Sequence, residues 1–391
     1  MKSAIDYKKL FNQGEKFLFI GSAFFISKIV FLIIPYITNS IDYNEFNKIY
    51  YSAAIVILFA KLGFDFAINR VHVHHKNLFI AVLINTLIMV IVLKLTEQEN
   101  YSYINYTSIF LYSFFYIIAN IFLMKTLFDG NFKRYFLFKL FYGIILIAIV
   151  FILISFHLEI FLVFPIAGIL WMIYVYSFSI RDFKGEGKLT DFYKLGFAGF
   201  VVNAALGFAF IADKYIVNHF MNLDVANAYT FAWGLTSPML YLGNMVEHSI
   251  YTAGNINKRK IIKNAFILLA GLIVLYSIGI YAVVFFLPNL LPQTINLSLL
   301  KQVLILFLLV YSIYSLIQYP LNGILFKFIN SSAQYKLAKI YPSIFLFFFA
   351  CLFYVYKIQN SDDFFLLIAL CSVYLFVLLG IKVLIVRKSI A

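Results

Sequence analysis

The chain has 391 residues, of which 63% are hydrophobic, 20% aromatic and only 12% charged, with a formal net charge of +14. Soluble chains run nearer half apolar and a quarter charged, so this excess is too large for aqueous cores and excludes a string of soluble domains. The apolar residues recur in stretches of membrane-spanning length, which makes an all-α polytopic membrane protein the expected fold class.

Windows of about 20 residues predict spans at 17–38, 48–68, 77–94, 106–126, 135–155 and 158–179. A second series follows at 194–217, 227–251, 262–287, 299–323, 337–356 and 363–385, twelve in all. The first segment lacks a small-residue cleavage signal and is followed by an acidic turn and another span, so it reads as a retained helix. Within it Gly21, Lys28 and Pro35 recur every seven residues and share one helix face. A lysine at mid-span is costly unless it meets an aqueous cavity or an acidic partner, so Lys28 is a candidate for a transport path, with a structural ion pair or an interfacial snorkel as the alternative. On the second span Lys61 and Asp65 stand at i and i+4, with Asn69 and Arg70 beyond them. A structural ion pair is the favoured reading of Lys61 and Asp65. The following "VHVHHKN" brings His72, His74 and His75 together without a Cys or acidic neighbour, which reads as a solvated loop and not a metal site.

The fifth and sixth spans are separated only by the "SFHLEI" region, and their combined length requires two passages or a re-entrant hairpin. After the sixth comes "RDFKGEGKLTDFYKLG", where glycine and mixed charge mark the domain boundary. The predicted organisation is a six-helix lobe over 1–180, a cytoplasmic connector over 181–193 and a second six-helix lobe over 194–391, around a central cavity. Asp213 and Lys214 fall in the outward third of the seventh span. Asp213 is expected to face the cavity while Lys214 snorkels to the outer interface. On the eighth, Tyr229 and Trp233 have the aromatic faces that stack on sugars, although in so aromatic a chain bulk packing weighs more. Glu247 and His248 lie near its far end, as sites for a proton, a cation or rim water. Cys351 and Cys371 sit in separate spans and read as buried small hydrophobes.

With the amino terminus in the cytoplasm, most of the 31 basic residues fall on one side. Lys48, Lys94, Lys214, Lys301 and Lys357 lie at the opposite ends, and Lys28 and Lys61 within spans. That bias predicts an even number of crossings with both termini cytoplasmic, and it accounts for the positive charge without nucleic acid. The two halves also echo each other. "DYKKLF" from Asp6 resembles "DFYKLG" from Asp191, an offset of 185 residues that sets Lys28 against Asp213. A three-residue deletion then aligns Asp42 with Asp224 and Asp65 with Glu247. A repeated six-helix unit suggests two lobes around a path. Neither a Gly-rich nucleotide loop nor a sizeable extramembrane segment is present, so the expectation is a transporter without intrinsic ATPase activity, not an enzyme.

The "ADKYIV…DVANAYTFAWGLTSPM" region, the two halves and the basic loop after the second span together resemble the oligosaccharidyl-lipid flippases of bacterial polysaccharide assembly, within the broader multidrug and polysaccharide exporter group. The matching positions are Asp213 with the basic Lys214, then Tyr229, Ala232 and Gly234, and earlier Gly63 and Arg70 in "KLGFDFAINR". Lys stands at 214 where the family more commonly has Arg. The resemblance implies a protein of the bacterial inner (plasma) membrane that moves polyprenyl-pyrophosphate-linked oligosaccharide between leaflets for O-antigen (lipopolysaccharide), capsule or another envelope glycan. It implies alternating access, allows Na⁺ or H⁺ coupling without a resident cofactor, and places glycan polymerases and glycosyltransferases as functional associates. Lys28 would stabilise the pyrophosphate and Arg70 attract it at the inner entrance. The alternatives are a cation-coupled exporter of small amphipathic compounds with the same fold and a membrane glycan polymerase or ligase. The latter commonly needs a large outer loop, and none is evident.

Overall fold

The computed structural model describes residues 29–68, 71, 73–96, 101–179, 187–252, 258–328, 331–359 and 361–390. Lys28, Arg70 and His72 lie outside the described residues. Among those described, the chain is helical, with no strand. Helix α1 is described over 29–37, followed by α2 (Ser40–Ala60), α3 (Phe64–Ala67), α4 (His75–Thr96), α5 (Tyr103–Phe128), α6 (Phe132–Ser155) and α7 (Val163–Ser179). The second half holds α8 (Leu189–Phe220), α9 (Leu223–Thr252), α10 (Lys258–Phe286), α11 (Leu297–Phe328), α12 (Ser331–Leu352) and α13 (Phe364–Ile390). The first predicted span is described only from residue 29. Each of the others but the second coincides with a long helix, the eleventh continuing from α12 into the π-turn Phe353–Ile358.

The second span is displaced. Hydropathy starts it at residue 48, yet α2 begins at Ser40 because Asn39 caps it. The Asn39 side chain accepts from the Asp42 backbone N–H at 2.9 Å and donates to the Asp42 carboxylate at 2.9 Å. Such caps are worth about 1 kcal/mol, enough to make the polar "SIDYNEFNK" the first turns of a helix. At the other end Leu62 (φ 45) and Gly63 (φ 69) both adopt left-handed backbone and break the helix before α3. Lys61 therefore ends α2 while Asp65 lies in α3, and the pair still closes at 2.7 Å.

Among the described residues, eight helices, α4 to α7 and α10 to α13, are long and apolar enough to cross a membrane. On α4, Ile80, Ile84, Leu87 and Ile91 recur on one face and are each about half exposed. An apolar stripe of that length is stable against lipid tails and not against water. Helices α2, α8 and α9 are not among the eight; in α2 and α9, Asn, Asp, Glu, Tyr and Thr interrupt the apolar runs.

The first half is knitted by α2 on α4 and α5 and by α7 on α5 and α6; the second by α9 on α10 and α11 and by α8 on α9, α12 and α13. Between the halves, α2 packs on α8 and α9, and α3 on α8. At one end the backbones touch. A Cβ on Gly63 would stand 2.1 Å from the Gly196 carbonyl oxygen, and one on Gly196 would stand 2.6 Å from that of Leu62. At the opposite end the contacts are polar. Tyr36 donates to the Leu290 carbonyl (2.9 Å), Thr294 to the Pro35 carbonyl (2.8 Å) and Asn227 to the Ser40 carbonyl (3.0 Å).

Candidate functional site: a buried ion pair and its neighbours

Asp213 and Lys214 lie in α8, seven and six residues before its last residue, with 1% and 0% of their surface exposed. Neighbouring helical residues point about 100° apart and do not ordinarily face each other. Here the short aspartate stays close to its own backbone while the long lysine stem curls back to it. The Lys214 Nζ stands 2.8 Å from Asp213 Oδ2, and the Lys214 backbone N–H donates to Oδ1 at 2.9 Å. The snorkelling predicted for Lys214 is thus corrected, since a carboxylate at bonding distance and a stacked indole hold the ammonium more strongly than a distant water layer.

The remaining ligands come from two further helices. Tyr229 of α9 donates its hydroxyl to Asp213 Oδ2 at 2.8 Å, and Lys214 donates to the Tyr311 hydroxyl of α11 at 3.3 Å. The third direction of the ammonium is covered by Trp233, whose ring centroid is 3.7 Å from Nζ. Tyr229 and Trp233 are four residues apart on α9, and Phe307 and Tyr311 four apart on α11, so each helix offers one aromatic face. Asn218, one turn beyond Lys214, donates to the Lys214 carbonyl (2.7 Å) and the Thr230 hydroxyl (2.9 Å), tying α8 to α9.

Toward the end of α8, His219 joins the halves. Its Nδ1 lies 2.8 Å from the Tyr215 carbonyl, an acceptor only, so Nδ1 carries the proton. Nε2 then accepts from Tyr101 at 2.6 Å and from Ser52 of α2 at 3.3 Å. A second polar chain crosses the later helices. Asn322 of α11 donates to Glu247 of α9 at 3.1 Å and accepts from Lys382 of α13.

The structure therefore brings together two of the predicted site residues, Asp213 and Tyr229, and pairs Lys61 with Asp65. Glu247 belongs to a separate chain of contacts. His74 and His75 stack ring on ring, centroids 4.3 Å apart. Sequence reasoning missed Tyr311, Asn218, His219, Asn322 and Lys382. The four-residue aromatic spacing on α9 and α11 was the available signal for Tyr311. Lone amides and a lone histidine within spans carry none.

No protein-family model matches the sequence, and neither does any curated protein. Among solved structures, the chain is similar to a MOP superfamily transporter from Pyrococcus furiosus, at 12% identity over 96% of this chain and 95% of that one, with a TM-score of 0.49. It is also similar to the MATE transporter ClbM in complex with Rb⁺, at 12% identity over 95% and 94% with a TM-score of 0.48. A third is the eukaryotic MATE transporter AtDTX14, at 13% identity over 97% and 98% with a TM-score of 0.47. Likenesses of this size assign neither a family nor an activity to the chain.

Proposed function

We propose that this chain is a transporter that moves polyprenyl-pyrophosphate-linked oligosaccharide from the inner to the outer leaflet of a bacterial plasma membrane. The observation that carries the reading is the junction of the halves. The two least apolar long helices, α2 and α9, meet between the halves; at one end Asn227 of α9 donates to the Ser40 carbonyl of α2, and at the other Gly63, just beyond α2, closes on Gly196 of α8. Polar residues held between two helical lobes suit a path for a hydrophilic cargo, which a scaffold of the same helices would not need. The residues that carry the resemblance support the flippase reading over other cargoes: Asp213, Lys214 and Tyr229 form one hydrogen-bonded unit, and Gly63 is the close-approach glycine.

In this reading the end joined by Tyr36, Asn227 and Thr294 faces outward, as the charge bias predicts, and this conformation is closed there. Opening it while closing the other end exposes one path to the two leaflets alternately, and the lipid tail stays in the bilayer. Asp213, Lys214 and Tyr229 brace α8, α9 and α11 as a unit that moves together. Lys28 and Arg70 are assigned to the pyrophosphate, Lys28 along the path and Arg70 at the inner entrance. Coupling to Na⁺ or H⁺ belongs to the proposal.

The test is a deletion strain in which lipid-linked saccharides are isolated, weighed by mass spectrometry and assigned to a leaflet. Complete units facing inward are expected. Incomplete units point to an earlier transferase, exported but unpolymerised units to a polymerase, and drug sensitivity without glycolipid to an exporter of amphipathic compounds. Normal translocation with Lys28→Ala and Lys28→Glu at unchanged abundance rejects the role given to Lys28.

A further inference from the structure

Helix α2 turns different faces to different neighbours. Phe46 and Tyr50 pack on Phe164 within the first half, while Ser52 and Phe59 meet His219 and Phe200 of α8. A third face carries Ser40, Asn44, Asn47 and Tyr51, and Tyr43 stands at its border with the face of Phe46 and Tyr50. The Ser40 carbonyl on that face accepts from Asn227 of α9, so the face looks across to the second half.

Buried polar atoms without partners lie on the three helices that meet here, α2, α8 and α9. From α2 they are the Tyr43 hydroxyl, Asn44 Oδ1 and both amide atoms of Asn47; from α9, Asn227 Oδ1; from α8, Asn218 Oδ1. Tyr43, Asn47, Asn218 and Asn227 are each at most 1% exposed. Tyr43 and Asn47 stand one turn apart and interact, without a hydrogen bond of good geometry. Native proteins pair nearly all buried polar groups, because an orphan loses its water and gains nothing. Of the eight orphan atoms among the described residues, only Ser315 Oγ and Gln318 Oε1 lie elsewhere, on α11.

We infer that this seam, Tyr43, Asn44 and Asn47 of α2 with Asn227 of α9 and Asn218 of α8, is a binding surface for the neutral hydroxyl groups of a sugar, hidden in this conformation and uncovered when α2 and α9 part. The inference rests on the transporter reading and names the part of the cargo that meets these residues. The chemistry selects the ligand class. Carboxamides and a phenol donate and accept in equal measure, which suits vicinal hydroxyls. The rings of Tyr43 and Tyr51 supply flat apolar faces beside them. A cation would require a carboxylate, and the Asp213 carboxylate is taken by Lys214 and Tyr229. An anion would require a lysine or arginine, and the one on this stretch of α2, Lys48, stands on the side of Glu45 and His219.

The experiment uses the full chain, purified in detergent, with Cys351→Ala and Cys371→Ala. Asn47→Cys reports on the seam, and Ala53→Cys, toward α5 and fully buried, is the control. A hydrophilic maleimide is expected to label the thiol of the Asn47→Cys variant at least tenfold faster than that of the Ala53→Cys variant. Lipid-linked saccharides extracted from cells lacking the chain are expected to slow labelling of the Asn47→Cys thiol, and the same lipid stripped of its sugars by mild acid is not. Separately, Asn47→Leu is expected to raise the thermal midpoint by a few degrees and abolish this saccharide-specific binding, the trade expected of a polar group kept for function. Equal protection of the two introduced thiols, or a fall in midpoint with Asn47→Leu, overturns the seam as a surface that opens and leaves the transporter reading standing. Protection by stripped lipid or by ethidium in place of the saccharide overturns the sugar assignment, and the ethidium result counts against the proposed cargo as well.

Discussion

Replacing Lys214 with Met removes the cation beside Asp213 and leaves a carboxylate with no exposed surface to neutralise it. At 2.8 Å and an effective dielectric constant of about 20, the attraction between the two charges is about 6 kcal/mol. Desolvation offsets much of this, so the pair as a whole contributes little net stability, while breaking it from one side costs about 3–5 kcal/mol. Asp213→Asn is expected to cost a similar amount, since the ammonium keeps only Tyr311 and the Trp233 face, the latter worth about 2 kcal/mol when desolvated. The double variant Asp213→Asn/Lys214→Met removes both charges with little change of shape and should cost no more than about 2 kcal/mol. The cycle therefore predicts a coupling energy of about 4 kcal/mol or more, far above the roughly 0.5 kcal/mol within which independent sites add. The chain has two tryptophans, so Trp171→Phe makes Trp233 the sole reporter, sitting directly on the ammonium. Denaturant titration in mixed micelles, followed by its fluorescence, measures all four corners. Single variants that add within about 0.5 kcal/mol would refute the buried-pair account.

Gly63→Ala combines a left-handed residue with a collision against the Gly196 carbonyl, whereas Gly130→Ala is left-handed (φ 76) with open space around it. The first should destabilise by about 3 kcal/mol or more and the second by about 1 kcal/mol in thermal unfolding, the difference isolating the close approach. Tyr101→Phe deletes the hydroxyl that donates to His219 and should lower stability by about 1 kcal/mol; an unchanged midpoint would mean that this latch does not hold the halves together. Asn322→Leu strands Glu247 and Lys382 on either side of an apolar side chain and should cost about 2–4 kcal/mol, recovered in part by Glu247→Gln/Lys382→Met in the same background.

The positions of the helices were legible because a membrane span must be long and apolar, and that signal survives without any knowledge of neighbours. Helix α2 was misplaced by eight residues because its opening "SIDYNEFNK" is polar for a reason no window detects: Asn39 caps it and α9 covers it. The break at Leu62 and Gly63 was hidden inside an apparently continuous polar strip, since Lys61 and Asp65 keep helical spacing across it. Asp213 was legible as a charge out of place; its tie to Lys214 was not, because adjacent helical residues seldom pair. Asn322 and Lys382 are separated by 60 residues and His219 from Tyr101 by 118, distances at which a lone polar side chain leaves no pattern in the sequence.

In the proposed transport cycle, the contact of Gly63 with Gly196 also sets the mechanics of opening. Two backbones pressed together with no side chains between them make a fulcrum, able to tilt but with little room to slide. From that point α2 runs 21 residues to the polar end, a lever arm of about 30 Å at 1.5 Å per residue. Parting the far end by the thickness of a sugar ring, about 6 Å, then requires a tilt of only about 11° over that arm. So small a rotation leaves the packing within each half intact; the hydrogen bonds it has to break are those of Tyr36, Thr294 and Asn227 at the tip and those of Ser52 and Tyr101 to His219.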